Sequence, residues 1–110
     1  ALKDSGSGRI VNVGAAGAIK AGMGMGAYAA SKSGVMRLTE ALAEETKASN
    51  LNVNAVLPSI IDTPQNRADM PDADPGDWVS PDDLAEVVLF LASENARAMT
   101  GALVPVTGRV

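Results

Sequence analysis

The sequence predicts an α/β domain built on parallel strands, and three observations carry that prediction. Two short β-branched runs, at 9–13 and 51–57, flank a stretch of helical periodicity. A strand, a long helix and another strand form a βαβ unit, which implies a parallel pair joined by a right-handed crossover. A second helical pattern then leads into a third apolar run at 102–106, extending the alternation.

Length and composition bound what such a domain can be. At 110 residues it is a single domain, able to bury roughly 65% of its unfolded surface. Apolar residues make up 46% and charged residues 20%, the ordinary balance of a soluble globular chain. Tyr28, Trp78 and Phe90 are the only aromatics, so aliphatic side chains must build the core. A net charge of −4 argues against nucleic acid or a polybasic membrane anchor as partners. No apolar run approaches the ~20 residues of a membrane span.

The chain has no cysteine and no histidine. That removes disulfides, thiolate nucleophiles, Ser-His-Asp triads and histidine-ligated zinc. Acid–base chemistry must therefore use Tyr, Lys, Asp or Glu. No signal peptide opens the sequence, which begins on Ala1. A cytoplasmic origin and a further N-terminal part are the expectations.

Taken in order, residues 1–4 read as the last turn of a helix, and Ser5-Gly6-Ser7-Gly8 as a flexible loop. Residues 9–13 form a buried strand ended by Gly14. From Gly14 to Gly26 runs a Gly- and Ala-rich loop, whose small side chains let backbone approach a ligand closely. A helix is predicted from about 27 to 48, with Val35, Leu38, Thr39, Leu42 and Ala43 inward and Glu40, Glu44, Glu45 and Lys47 in water. The strand at 51–57 ends at Pro58.

Residues 59–79 read as a long polar loop with three prolines, the kind that forms lids and binding loops. Ser80-Pro81-Asp82-Asp83 is a helix start, with Ser as N-cap, Pro at the first position and carboxylates on the positive dipole end. That helix runs to about Ser93 with Leu84, Val87, Val88 and Leu91 inward.

Tyr28 and Lys32 lie four positions apart at the start of the long helix, a spacing that stacks two side chains on one face. The pair follows a strand and a glycine-rich loop, at the carboxyl end of a parallel sheet, where open α/β sheets bind ligands. A nearby ammonium favours phenolate and is expected to draw a phenol of pKa ~10 toward ~7, where a general acid–base works best. An exposed tyrosine beside a solvated lysine is the bland alternative, and the spacing alone does not exclude it.

Three stretches resemble the short-chain dehydrogenase/reductase family: Asn12-Val13-Gly14, Tyr28-Ala29-Ala30-Ser31-Lys32-Ser33-Gly34-Val35, and Asn52-Val53-Asn54-Ala55-Val56-Leu57-Pro58. Ser93-Glu94 and Thr100-Gly101 add to the likeness. The resemblance implies the later half of a three-layer Rossmann-type domain, about three strands and two helices, with residues 1–110 as one partial, catalytic domain. It implies that Tyr28 exchanges a proton with substrate and that Lys32 holds the nicotinamide ribose and lowers the tyrosine's pKa. Pro58 and Ser59 would pass along the nicotinamide of NAD or NADP, with the Ile61 backbone at the carboxamide and Thr63 near the phosphates. Ser59 stands where most relatives have glycine.

Two departures bear on activity. The family's catalytic serine lies thirteen positions before the tyrosine, where this chain has Ala15. An alanine cannot hydrogen-bond a developing oxyanion. The dihydropteridine reductase branch also lacks this serine, and it has a segment like Asp62-Thr63-Pro64-Gln65-Asn66-Arg67 with Met70-Pro71-Asp72-Ala73-Asp74 and Trp78. A pterin-like or carbonyl substrate is therefore implied. The second departure is that the glycine-rich dinucleotide motif of the family's first half has no counterpart. Gly24-Met25-Gly26-Ala27-Tyr28-Ala29 fits G-x-G-x-x-A, but it does not directly follow a strand and no acid at a strand end lies ~20 residues on.

The acidic run Asp72, Asp74, Asp77, Asp83 loosely matches a calcium loop. Its glycine is displaced and a proline interrupts it, so a solvated loop is the reading and no metal is expected. Two functional expectations follow. One is an NAD(P)-dependent oxidoreductase acting on a small molecule. The other is an inactive half-domain, binding no cofactor alone, that folds as a homo-oligomer through the helix over 28–48 and an open sheet edge.

Overall fold

The computed structural model describes residues 1–110. Three parallel strands, β1 (Gly8–Val13), β2 (Leu51–Pro58) and β3 (Leu103–Val106), form one sheet in the order β1-β2-β3. Ile10 pairs with Val53 and Asn12 with Ala55, while Leu57 pairs with Pro105. Every residue of β2 is buried. A strand covered on both faces must read as a near-continuous apolar run, and the two asparagines that interrupt this one are each hydrogen-bonded.

The helices take opposite faces. Leu51 and Val53 cluster with Ala43 and Leu42 of α1 (Gly26–Thr46). Asn52, whose side chain must point the other way, donates to the carbonyls of Ala96 and Arg97, just beyond the second long helix (Pro81–Ala92). The result is a three-layer α/β sandwich around a parallel sheet, as the sequence predicts.

Most boundaries fall within a residue or two of expectation, and the start of the Pro81–Ala92 helix is built as predicted. The Ser80 hydroxyl accepts from the Asp83 N–H at 3.1 Å, with Pro81 in the first turn. Leu91 is buried in that helix, while Leu84, Val87 and Val88 are only partly covered.

Residues 9–13 form a strand, but one at the sheet edge and only half-buried, with Val13 exposed. Two further expectations are corrected. Leu38 is 62% exposed, and Met36 is buried instead. The buried stripe of α1 runs through Ala29, Met36, Thr39, Ala43 and Thr46, and Leu38 sits ~100° around the axis from Thr39. Thr39 and Thr46 are tolerated inside because their hydroxyls donate back to Val35 and Leu42 carbonyls at 2.7 and 2.8 Å.

The second correction concerns 59–79, which is not a plain loop. It holds a short helix, α2 (Pro64–Asp69), a 3-10 turn at Pro75–Asp77, and a parallel bridge between Ile61 and Val79. In chain order the helices are thus α1, α2 and α3 (Pro81–Ala92). Thr63-Pro64 and Asp74-Pro75 are both cap-then-proline starts: Thr63 Oγ1 accepts from the Asn66 N–H and Asp74 Oδ1 from the Gly76 N–H.

The sheet ends on two unlike edges. Gly14 donates its N–H to Val56, so the even residues of β1 face β2 and Arg9, Val11 and Val13 turn their peptide groups outward. At the two ends of β3, Ala102 accepts from Ala55 and Val106 from Ser59, just past β2, which leaves Pro105 outward on the free edge with no N–H to offer. Proline there blunts strand addition, and the β1 edge has no such guard. No helix is long and apolar enough to cross a membrane.

Candidate active site at the carboxyl ends of the strands

The carboxyl ends of β1 and β2 open into a cleft of about 280 Å³, lined by Ala15, Gly17, Tyr28, Pro58, Ser59 and Ile60. Gly14 turns the chain out of β1. A Cβ there would fall 2.7 Å from Leu57 Cδ2, so a larger residue would force the buried Leu57 side chain to shift. The loop then makes one 3-10 turn at Ala16–Ala18 before α1 begins. Tyr28 stands in the first turn of α1 with 49% of its surface exposed.

Lys32 lies one turn further along the same face. Its Nζ donates to the Val13 carbonyl at 3.3 Å, on the outward side of β1. An ammonium has three donors, so two remain for other partners. Ala15 is buried at the cleft wall and presents only a methyl group. Asn12 fixes the helix to the strand: its Nδ2 donates to Thr39 Oγ1 at 3.0 Å. That cross-link sets how far Tyr28 and Lys32 reach beyond the end of β1.

Four of the six expected site residues do not share one surface with the other two. Tyr28, Pro58 and Ser59 line the cleft and Lys32 reaches the last carbonyl of β1, whereas Ile61 and Thr63 border a separate hollow of about 590 Å³ along α3, with Leu84, Val88 and Leu89. Ser59 is tied back to β3, its Oγ donating to the Thr107 carbonyl at 2.9 Å. A glycine could not make that bond.

Beyond Pro58 the chain is held by groups that the sequence reading left unassigned. Arg67 grips Asp62 with two parallel bonds, Nε to Oδ1 at 2.6 Å and Nη2 to Oδ2 at 2.8 Å. That hydrogen bond lowers the Asp62 pKa below its usual 3.8, with the guanidinium charge adding to the effect, and raises that of Arg67. Asn66 Nδ2 donates to the Ile61 carbonyl at 2.8 Å. The five-residue spacing of Asp62 and Arg67 around Thr63-Pro64 was the available signal, since a capped turn brings such positions together.

A pH dependence follows from the Asp62–Arg67 grip. A carboxylate whose folded pKa is depressed stabilises the folded segment above the unfolded value and loses that contribution as pH falls through the folded one. Hydrogen-exchange protection of the amides in 61–67, taken relative to the intrinsic rate at each pH, is therefore expected to hold down to about pH 4 and to fall below it. Arg67→Gln should lower that protection at neutral pH and flatten its fall below about pH 4, because the pair that acid would break is already gone. An unchanged profile in the variant would show that the pair does not order the segment.

With this geometry in view, comparison with known proteins is informative. Residues 1–108 match the family profile described as enoyl-(acyl carrier protein) reductase. The chain is 35% identical to acetoacetyl-CoA reductase of Shinella zoogloeoides, over 97% of this chain and 48% of that protein. It is 39% identical to the 3-oxoacyl-acyl-carrier-protein reductase FabG of Pseudomonas aeruginosa, over 92% of this chain and 44% of that one. A short-chain type dehydrogenase/reductase from Mycobacterium ulcerans superposes with a TM-score of 0.88 at 28% identity, covering 98% of this chain and 43% of that one. Carveol dehydrogenase from Mycobacterium avium, solved in complex with NAD, superposes at 0.81 with 32% identity, over 96% and 47%. The chain spans about half the length of the curated relatives it matches. A parallel α/β sheet, the cleft at its carboxyl end and a match over nearly every residue agree: this chain belongs to the short-chain dehydrogenase/reductase family.

Proposed function

We propose that residues 1–110 form the substrate-side half of an NAD(P)-dependent oxidoreductase in which Tyr28 exchanges the proton with a small-molecule substrate. The observation that carries this reading is the position of Tyr28, half exposed over a cleft shared with Pro58 and Ser59 at the carboxyl ends of two parallel strands. A bound nicotinamide would supply or accept the hydride.

The chain's own residues suit the nicotinamide end of such a cofactor. Lys32 has donors left for ribose hydroxyls. Thr63 Oγ1 accepts from the Asn66 N–H, and its own O–H remains free to donate to a phosphate. Ile60 and Asp62 direct a carbonyl and an N–H to Val79, so Ile61 turns its own N–H and carbonyl to the opposite side. A primary carboxamide complements that pair, donating to the carbonyl and accepting from the N–H.

Ala15 narrows the substrate. With a methyl in the cleft wall, no side-chain donor stands beside Tyr28 to meet an oxyanion, and such a donor is worth about 10²–10³ in rate to an acyl-type carbonyl. A quinonoid pterin spreads its developing charge over a conjugated ring and needs that donor less than a carbonyl does. A pterin-like substrate is the preferred reading and a carbonyl the other.

The second reading is that these residues act by themselves as a structural half, associating as a homo-oligomer through α1 and the β1 edge. It is favoured by the outward peptide groups of β1 and by exposed Leu38, Leu89 and Phe90. Titration with NADH and NADPH, followed by nicotinamide fluorescence, separates the two. No saturable micromolar binding is expected from the isolated chain, because no residue here is placed to grip the adenosine half. Saturable micromolar binding would remove the structural reading.

A further inference from the structure

We infer that the side-chain amide of Asn66 is an internal stand-in for the ligand's carboxamide, occupying the Ile61 carbonyl until the ligand displaces it. The inference rests on the proposed nicotinamide reading and adds to it a residue that tunes binding at that site.

The geometry is specific. The bridge to Val79 uses the Ile60 carbonyl and the Asp62 N–H, at 2.9 and 2.7 Å. Backbone groups alternate sides along an extended segment, so the Ile61 N–H and carbonyl lie side by side on the other edge. The carbonyl is taken by Asn66 Nδ2 at 2.8 Å, while the Ile61 N–H makes no hydrogen bond. Asn66 therefore satisfies half of a pair that a primary carboxamide would satisfy whole. It uses the same chemical group, an sp² NH2, to do so.

Asn66 is also placed to let go. It sits in the first turn of α2, and its backbone N–H is held by Thr63 Oγ1 at 3.1 Å. The Asp62–Arg67 grip closes the same turn independently. Rotation of the Asn66 side chain would free the Ile61 carbonyl without unwinding α2. A ligand carboxamide gains two hydrogen bonds and breaks one. The one it breaks reduces its net affinity, and a ligand without an amide N–H cannot replace it at all.

The test uses the 110-residue chain and nicotinamide mononucleotide at millimolar concentration, which asks nothing of the adenosine half. Binding is read from 15N-resolved shifts of the Ile61 N–H and the Asn66 side-chain NH2. The two signals should move together with one saturation curve. Asn66→Ala should bind nicotinamide mononucleotide about two- to tenfold more tightly, the span set by the net value of one hydrogen bond. The 3-acetylpyridine mononucleotide, which keeps the carbonyl and lacks the N–H, should show no such gain.

Asn66→Asp, which cannot donate, serves as a second variant, and the amide spectrum of each variant reports that it is folded. Shifts at Ile61 with an unmoved Asn66 amide, or equal or weaker binding by Asn66→Ala, would overturn the stand-in role and leave the nicotinamide reading intact. Absence of any shift at Ile61, Tyr28 or Lys32 in every variant would overturn both.

Discussion

Replacing Asn54 with leucine is expected to destabilise the fold by about 2–4 kcal/mol, because it strands two partly buried backbone groups at once. Asn54 is 1% exposed at the centre of β2. Its Nδ2 donates to the Met99 carbonyl and its Oδ1 accepts from the Ala102 N–H, both at 3.0 Å. These bonds tie the central strand to the turn that launches β3. Leucine has nearly the right volume, so the loss would come from unpaired polar groups and not from a cavity. For a domain whose whole stability is of order 5–15 kcal/mol, that approaches global unfolding.

Urea denaturation followed by far-UV circular dichroism measures it as a lowered midpoint at unchanged slope. Asn54→Asp keeps the acceptor, loses the donor and buries a charge. It should be at least as harmful at neutral pH and partly recover in acid, as the carboxyl protonates. A midpoint change worth less than about 0.5 kcal/mol, the scale of an ordinary surface substitution, would reject this assignment.

Asn54 also shows where the sequence stopped being legible. The run Asn52-Val53-Asn54-Ala55-Val56-Leu57 announces a strand, and its predominantly apolar side chains announce burial. What an asparagine on that strand bonds to depends on a turn some 45 residues later in the chain, which no local pattern reveals. The helix start at Ser80-Pro81-Asp82-Asp83 was readable because capping is a contest among neighbours, decided within one turn. The interior of 59–79 was hidden by composition: its prolines suggest a loop, yet Pro64 and Pro75 each follow a capping residue and start a turn of helix. Thr39 is inward as its spacing predicts, but Leu38, whose spacing from Leu42 fits the same set, lies just off a buried stripe that runs instead through Met36 and Thr46, the two threonine hydroxyls being satisfied by the preceding turn. The placement of Tyr28 and Lys32 one turn apart on α1 is legible from their spacing. The roles of Asp62, Asn66 and Arg67 arise from a fold-back of the segment between Ile61 and Val79, and so appear only in three dimensions.

Tyr28→Phe is expected to lower turnover by about 10²–10⁴ once these residues are joined to the first half of a relative that carries the dinucleotide motif. The part of the Shinella acetoacetyl-CoA reductase that lies outside its match to this chain, about half of that protein, is the donor to use, given the 35% identity over the matched part. Phenylalanine keeps the ring and its place in the cleft while removing the only titrating group there. Cofactor affinity should therefore hold, and the loss should fall on kcat. Ala15→Ser in the same chimera should act in the opposite sense and selectively. Restoring a donor at the cleft wall should raise kcat for a 3-oxoacyl thioester by about 10²–10³ and change turnover of a quinonoid dihydropterin by much less. Retained activity in Tyr28→Phe would reject the tyrosine as the acid. An equal gain on both substrates would reject Ala15 as the feature that selects between them. A gain confined to the carbonyl would instead tie the missing serine to substrate chemistry, since one added hydroxyl can discriminate only where charge gathers on a single oxygen.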